Sequence, residues 1–135
     1  MILSIISKDK WTVLAVAKDD GEVPLLEFLS DETKSKKAKE NMLSTLVEYV
    51  PTHGTPKDEN KCKYLRDHIL EFKTGSNKGP KVRVLFFYDK GKVIVCSHGF
   101  LKDTQKTNPD EIDKAIQIRE NYLEAQKNKK LTIKE

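Results

Sequence analysis

Residues 82–100, VRVLFFYDKGKVIVCSHGF, carry the strongest local signal in the chain. Val82 to Tyr88 is rich in β-branched and aromatic side chains, the composition of a strand. Side chains alternate across a strand, so Val82, Val84, Phe86 and Tyr88 share one face, and Arg83, Leu85 and Phe87 share the other. Asp89-Lys90-Gly91 reads as a tight hairpin, with Gly91 free to take a positive φ. Lys92 to Phe100 then returns as the partner strand. Upstream, Ile69 to Lys73 reads as a further short strand, joined through a polar, glycine-containing connection, Thr74 to Pro80. Three sequential strands with short links make an antiparallel meander.

Helical signals flank this meander. Pro24 to Leu29 places apolar residues at helical spacing, with proline at the tolerated first turn. The charged segment from Ser30 to Lys39 leaves open whether that helix is broken or continuous. Met42, Leu43, Leu46, Val47 and Val50 recur as one face of an amphipathic helix, which Pro51 and Gly54 are expected to end. Downstream, Asn108-Pro109-Asp110-Glu111 is a strong helix start, with Asn108 as cap and Pro109 at the first position. Ile112, Ala115, Ile116, Tyr122 and Leu123 form its apolar face. Trp11 to Ala17 reads as a first strand at the sheet edge. The tail after Leu123 loses periodicity and is expected to fray. Helices segregated from an antiparallel meander make an α+β domain. With 135 residues the expectation is one domain, 1–135, with its core at about 11–123 and a frayed tail at 124–135.

Composition narrows the function. The formal net charge is +4, but it is unevenly placed. Residues 1–60 carry a balance of −3, and residues 61–107 hold 11 basic and four acidic side chains, a balance of +7. A basic patch is the footprint of a polyanion partner, although an acidic protein or a merely solvated surface fits the same charge. No apolar run approaches the ~18 residues of a membrane span. The start, MILSIISKDKW, lacks a basic leader and a small-residue cleavage site, so it does not read as a secretion signal. Cys62 and Cys96 have no metal-ligand spacing, and a reduced cytoplasmic setting is expected. Neither a metal nor any other cofactor is expected.

What remains is basic chemistry on a sheet. Lys73 and Arg83 lie on neighbouring strands. His98 sits on the next strand, and Lys102 and Lys106 leave its end. Such a group suits metal-independent cleavage of RNA, in which the 2′-hydroxyl attacks its own phosphate. That step needs a proton acceptor, a proton donor and cations for the phosphorane charge. Arginine is the best oxyanion partner. Glu71 or His98 could move protons; a lysine could do so only if burial or neighbouring cations lowered its pKa. Bland readings stay open beside these: Arg83 as an ion-pair partner of Glu71, His98 as a structural histidine, and Tyr88 as a side chain packed at the core edge.

The order of stretches goes further. W…DG…P..EFL, K.L…I.EFK, VRVLFFYD, HGFLKDTQKT and P.EI..A…R..YL together resemble the RelE/ParE toxin superfamily, and within it the HigB-like, phage-derived branch. The most specific piece is HGFLKDTQKTNPDEIDKA, where the family typically reads HGFxKKTxKTPxxEIxxA. The resemblance spans about Trp11 to Leu123. It implies two N-terminal helices packed on a curved antiparallel sheet, with a C-terminal helix. It implies a type II toxin that cuts messenger RNA on the ribosome, held inactive by an antitoxin, commonly a helix-turn-helix protein. Arg83 would stabilise the transition state and Lys102 would bind or polarise the phosphate, with Glu71 and His98 as candidates for proton transfer. Lys73, Lys81, Lys106 and Tyr88 would bind RNA. The sequence departs from the family at Lys73, where the family has arginine; at Val82, where it has tyrosine; and at Asp103, where it has lysine. Asp103 could instead supply an acid/base group. The ParE-like branch inhibits gyrase without cutting RNA, so a protein-binding toxin and an inert RNA-binding member are the alternatives.

Overall fold

The computed structural model describes residues 1–75, 79, 81–102 and 106–135. The hairpin read from residues 82–100 is present. Strand β5 (Lys81–Asp89) pairs antiparallel with β6 (Val93–Lys102) and with β4 (Ile69–Gly75). The turn uses positive φ at Gly91 (78°) and Lys92 (60°). Two more strands lead the chain, β1 (Ile2–Lys8) and β2 (Thr12–Ala17), and β3 (Cys62–Arg66) precedes β4. A short β7 (Thr132–Lys134) closes the chain. Among the described residues these seven strands form one sheet in the order β3-β4-β5-β6-β2-β1-β7.

Three expectations need correction. The sheet is mixed rather than antiparallel, because β2 runs parallel to β6 and β7 runs parallel to β1. The strand at Trp11–Ala17 does not lie at an edge, since β6 and β1 flank it. The tail after Leu123 is not irregular: the last helix, α4 (Pro109–Lys127), passes Leu123, and Thr132–Lys134 pairs with Ile2–Ser4. Long-range parallel pairing leaves no local periodicity, which is why β7 is silent in the sequence.

The remaining helices follow β2: α1 (Pro24–Ser30), α2 (Lys36–Ser44), a π-helical turn (Thr45–Tyr49) and α3 (Val50–His53). The charged segment therefore breaks the helix, with Ser35 in the left-handed region at φ 57°. Pro51 does not end the second helical run, as its residue type suggests; the backbone stays right-handed helical through Tyr49 and Val50, and Pro51, which has no N–H to donate, falls just after the π-helical turn. Gly54, at φ 78°, ends the run.

Each sheet face carries its own core. On one face Leu25, Leu29, Met42, Leu46 and Val50 join Val13, Phe72, Val84, Phe86 and Ile94. Phe72 and Phe86 stack there with centroids 4.1 Å apart. On the other, Ile112, Ala115 and Tyr122 of α4 join Leu3, Ile69, Leu85, Phe87 and Val95. The alternation read in β5 thus separates two buried faces, as expected of a central strand. Leu123, read as apolar-face, is exposed. The start of α4 follows its signal: the Asn108 side chain accepts the Asp110 N–H at 2.8 Å, Pro109 sits in the first turn, and Asp110 and Glu111 complement the helix dipole.

Candidate active site

On β4, Glu71 and Lys73 share the face that α4 covers, because Phe72 between them points into the opposite core. Arg83 sits directly opposite Lys73, and Lys81 opposite Lys102. A shift in register between Leu85 and Phe86 places Leu85 opposite His98, which keeps His98, Phe100 and Lys102 on the Arg83 side. Strand geometry therefore gathers Glu71, Lys73, Lys81, Arg83, His98 and Lys102 on one face.

The centre of this group is a buried carboxylate. Glu71 is 1% exposed. Its Oε2 accepts a short hydrogen bond from the Thr107 hydroxyl, and its Oε1 lies 3.7 Å from Arg83 Nε. Thr107 Oγ1 in turn accepts from Lys102 Nζ at 3.2 Å. Arg83 is only 11% exposed. Its Nη1 donates to the carbonyls of Thr74 (3.1 Å) and Val82 (2.9 Å). Its Nε is buried and makes no hydrogen bond among the described residues.

Among the described residues, cations outnumber carboxylates here. Burial pulls the Arg83 guanidinium below its usual range, with Glu71 opposing. The Lys102 ammonium is also pulled down: burial contributes most, Glu71 opposes, and Arg83, Lys73 and Lys81 add like-charge repulsion. The condition under which a lysine could transfer a proton is thus met in direction.

His98 is held apart from this exchange. Its Nδ1 lies 2.8 Å from Ser97 Oγ, and its Nε2 lies 3.3 Å from Glu111 Oε1 on the first turn of α4. Burial first, then Lys114, lowers its pKa against the pull of Glu111. This favours a neutral imidazole that fastens α4 to β6.

Tyr88 does not join the group. It packs with Trp11 and Phe86 and bonds Thr55 at 2.7 Å, on the other side of the sheet. Lys106 is exposed beside Thr107. Asp103, the alternative acid/base group, lies outside the described residues. Thr107 is a participant that residue type and strand order do not single out. Its one signal is its place at the end of HGFLKDTQKT, one residue before the cap of α4. Both thiols are poor nucleophiles, since burial pushes Cys62 up to about 11 and Cys96 up to about 12.

Residues 31–120, two thirds of the chain, match the family model described as phage derived protein Gp49-like (DUF891). The chain belongs to this family. The Gp49-like family is associated with RelE/ParE-like toxins, and its link to toxin–antitoxin systems suggests an antitoxin partner. The matched span runs from before α2 into α4, so it contains Glu71, Lys73, Lys81, Arg83, His98, Lys102 and Thr107. No curated protein matches this Gp49-like chain significantly. Among the described residues, no helix is long and apolar enough to cross a membrane.

Proposed function

We propose that this Gp49-like chain is a toxin of the HigB-like type that cuts messenger RNA on the ribosome without a metal, and that a cognate antitoxin, commonly a helix-turn-helix protein, restrains it. The observation that carries the reading is the grouping of four cations, Lys73, Lys81, Arg83 and Lys102, around one buried carboxylate on one sheet face.

In this mechanism Lys102, in its neutral form, accepts the proton of the 2′-hydroxyl as that oxygen attacks the adjacent phosphorus. Arg83, through Nη2, and Lys73 hold the charge of the phosphorane. The bond to the 5′-oxygen breaks, water protonates that oxygen, and a 2′,3′-cyclic phosphate remains. Glu71 is a positioning residue: too buried to meet RNA, it holds Arg83 and, through Thr107, Lys102.

The two carbonyls bonded by Arg83 Nη1 favour a second reading, an RNA-binding member that does not cut. Primer extension on a defined messenger RNA, with purified translating ribosomes and with naked RNA, separates the two. The proposal expects codon-phased cuts that require ribosomes and leave cyclic phosphate ends. It also expects Lys102→Ala to remove the rise of the single-turnover rate with pH, because that rise follows deprotonation of Lys102 below its ordinary 10.5. Salt-dependent RNA binding with no cut under either condition would favour the second reading.

A further inference from the structure

A groove separate from the Glu71 cluster lies between the second helical run and the loop that leads into β3. Its volume is about 770 Å³. Asn41, Thr45 and Tyr49 line one side, and Lys57 and Lys61 the other, with Lys73 at the β4 end. We infer that this groove is a binding site for single-stranded RNA, and that it guides the strand toward Arg83.

Four observations converge on that ligand. First, the groove has three lysines. Its one acidic residue, Asp58, is engaged locally, with its carboxylate accepting the Asn60 N–H at 2.9 Å. The wall therefore presents net positive charge, suited to a polyanion. Second, Tyr49 is 44% exposed on that wall, with the His53 ring 4.8 Å away. An exposed aromatic beside cations is the platform on which unpaired bases stack. Third, Asn41 and Ser44 add amide and hydroxyl groups for base edges and 2′-hydroxyls. Fourth, Lys73 borders the groove at the end of β4 while its side chain takes the strand face that Arg83 occupies, so the groove ends beside the strand pair that carries Arg83. A chain of phosphates leaving the Arg83 cluster meets this lysine next.

The π-helical turn explains how the platform is built. Widening the helix at Thr45–Tyr49 adds a residue to the turn and rotates α3 relative to the continuation of a regular α-helix. Within this turn Leu46 stays in the core while Tyr49 is exposed to the groove.

The inference rests on the RNA reading of the protein but not on cleavage. The test is therefore equilibrium binding of the full chain to a fluorescein-labelled 12-nucleotide 2′-O-methyl single strand, which cannot be cut. Tyr49→Leu is expected to weaken binding about 5- to 150-fold, the range for removing one base–aromatic stack, while Tyr49→Phe stays within about twofold of the parent. Lys57→Ala combined with Lys61→Ala should lower the slope of log affinity against log salt by about 1.4, that is, about 0.7 for each phosphate left without its lysine. Circular dichroism and thermal melting establish that each variant is folded.

Unchanged affinity in folded Tyr49→Leu would overturn the inference even if ribosomal cleavage is intact. Equal competition by duplex RNA would also overturn it, and so would equal competition by a polyglutamate peptide, which would assign the groove to an acidic protein segment. Tyr49- and lysine-dependent binding with no ribosomal cleavage would support the groove and remove the nuclease instead.

Discussion

The segment that runs from Thr107 through helix α4 is fastened to the sheet by a carboxylate at each end, and the two carboxylates differ. Near the C-terminal end, Asp89 Oδ2 accepts from the Tyr122 hydroxyl at 2.5 Å and from Gln126 at 2.9 Å, and Oδ1 accepts the Lys90 N–H at 2.7 Å. Burial pushes its pKa up, but those three bonds outweigh burial and hold it below the usual range. Tyr122 is correspondingly pushed far up, by burial first and then by its bond to Asp89. Near the other end, Glu71 is more deeply buried. It has one hydroxyl bond and an arginine at 3.7 Å whose Nε lacks a hydrogen-bond partner among the described residues, with Lys73, Lys81 and Lys102 nearby. The first arrangement is closed and electrostatically complete. Among the described residues, the second gathers more cations than its one carboxylate neutralises. A buried cation without full compensation is costly and suits a site that receives an anion.

The contrast can be broken experimentally. The largest expected effect is on Glu71. Glu71→Ala leaves Arg83 buried without its counter-charge, so unfolding in urea should show a loss of about 3–5 kcal/mol. Glu71→Gln keeps a partner for Thr107 and should lose less. A loss below about 1 kcal/mol for Glu71→Ala would mean that this carboxylate does not hold the cluster.

Tyr122→Phe is next. Removing one neutral donor from an ionised acceptor should lower stability by about 1.5–3 kcal/mol. Cleavage by the folded variant should match the parent, because Tyr122 braces α4 and does not meet RNA. The smallest effect concerns His98. Its folded pKa lies below its ordinary 6.5, so the unfolded chain binds the proton more readily. The stability that His98 contributes is therefore full above pH 6.5 and is lost as pH falls toward the folded pKa. His98→Gln should flatten that acid-side slope in urea titrations, and an unchanged slope would remove His98 as its source.

Much of the frame is legible in the sequence, and the reason is locality. The 82–100 hairpin declares itself by alternation and a glycine turn, and α4 by Asn108-Pro109. The cations also come together as strand order alone suggests, because Lys73, Arg83 and Lys102 sit on consecutive antiparallel strands. What stays hidden depends on distant partners. β7 forms only against β1, and β2 gains its central place only through parallel pairing with β6. Tyr88 shares β5 with Arg83, but its parity puts it on the other face, with Trp11 and Phe86. Glu71 has the residue type and strand of a proton acceptor; its near-complete burial and its bond to Thr107, 36 residues away, are set by tertiary packing.

The most direct test is primer extension in purified translating ribosomes, with Arg83→Lys and Tyr122→Phe run beside the parent at equal folded concentration. Lysine keeps the charge of Arg83 but loses the planar fork that can face both Glu71 and a phosphate. The account predicts that Arg83→Lys loses codon-phased cleavage about 10²- to 10³-fold, while Tyr122→Phe retains it. Cleavage by Arg83→Lys at the parental rate, or equal losses in both variants, would contradict the assignment of chemistry to the Glu71 end and of bracing to the Asp89 end.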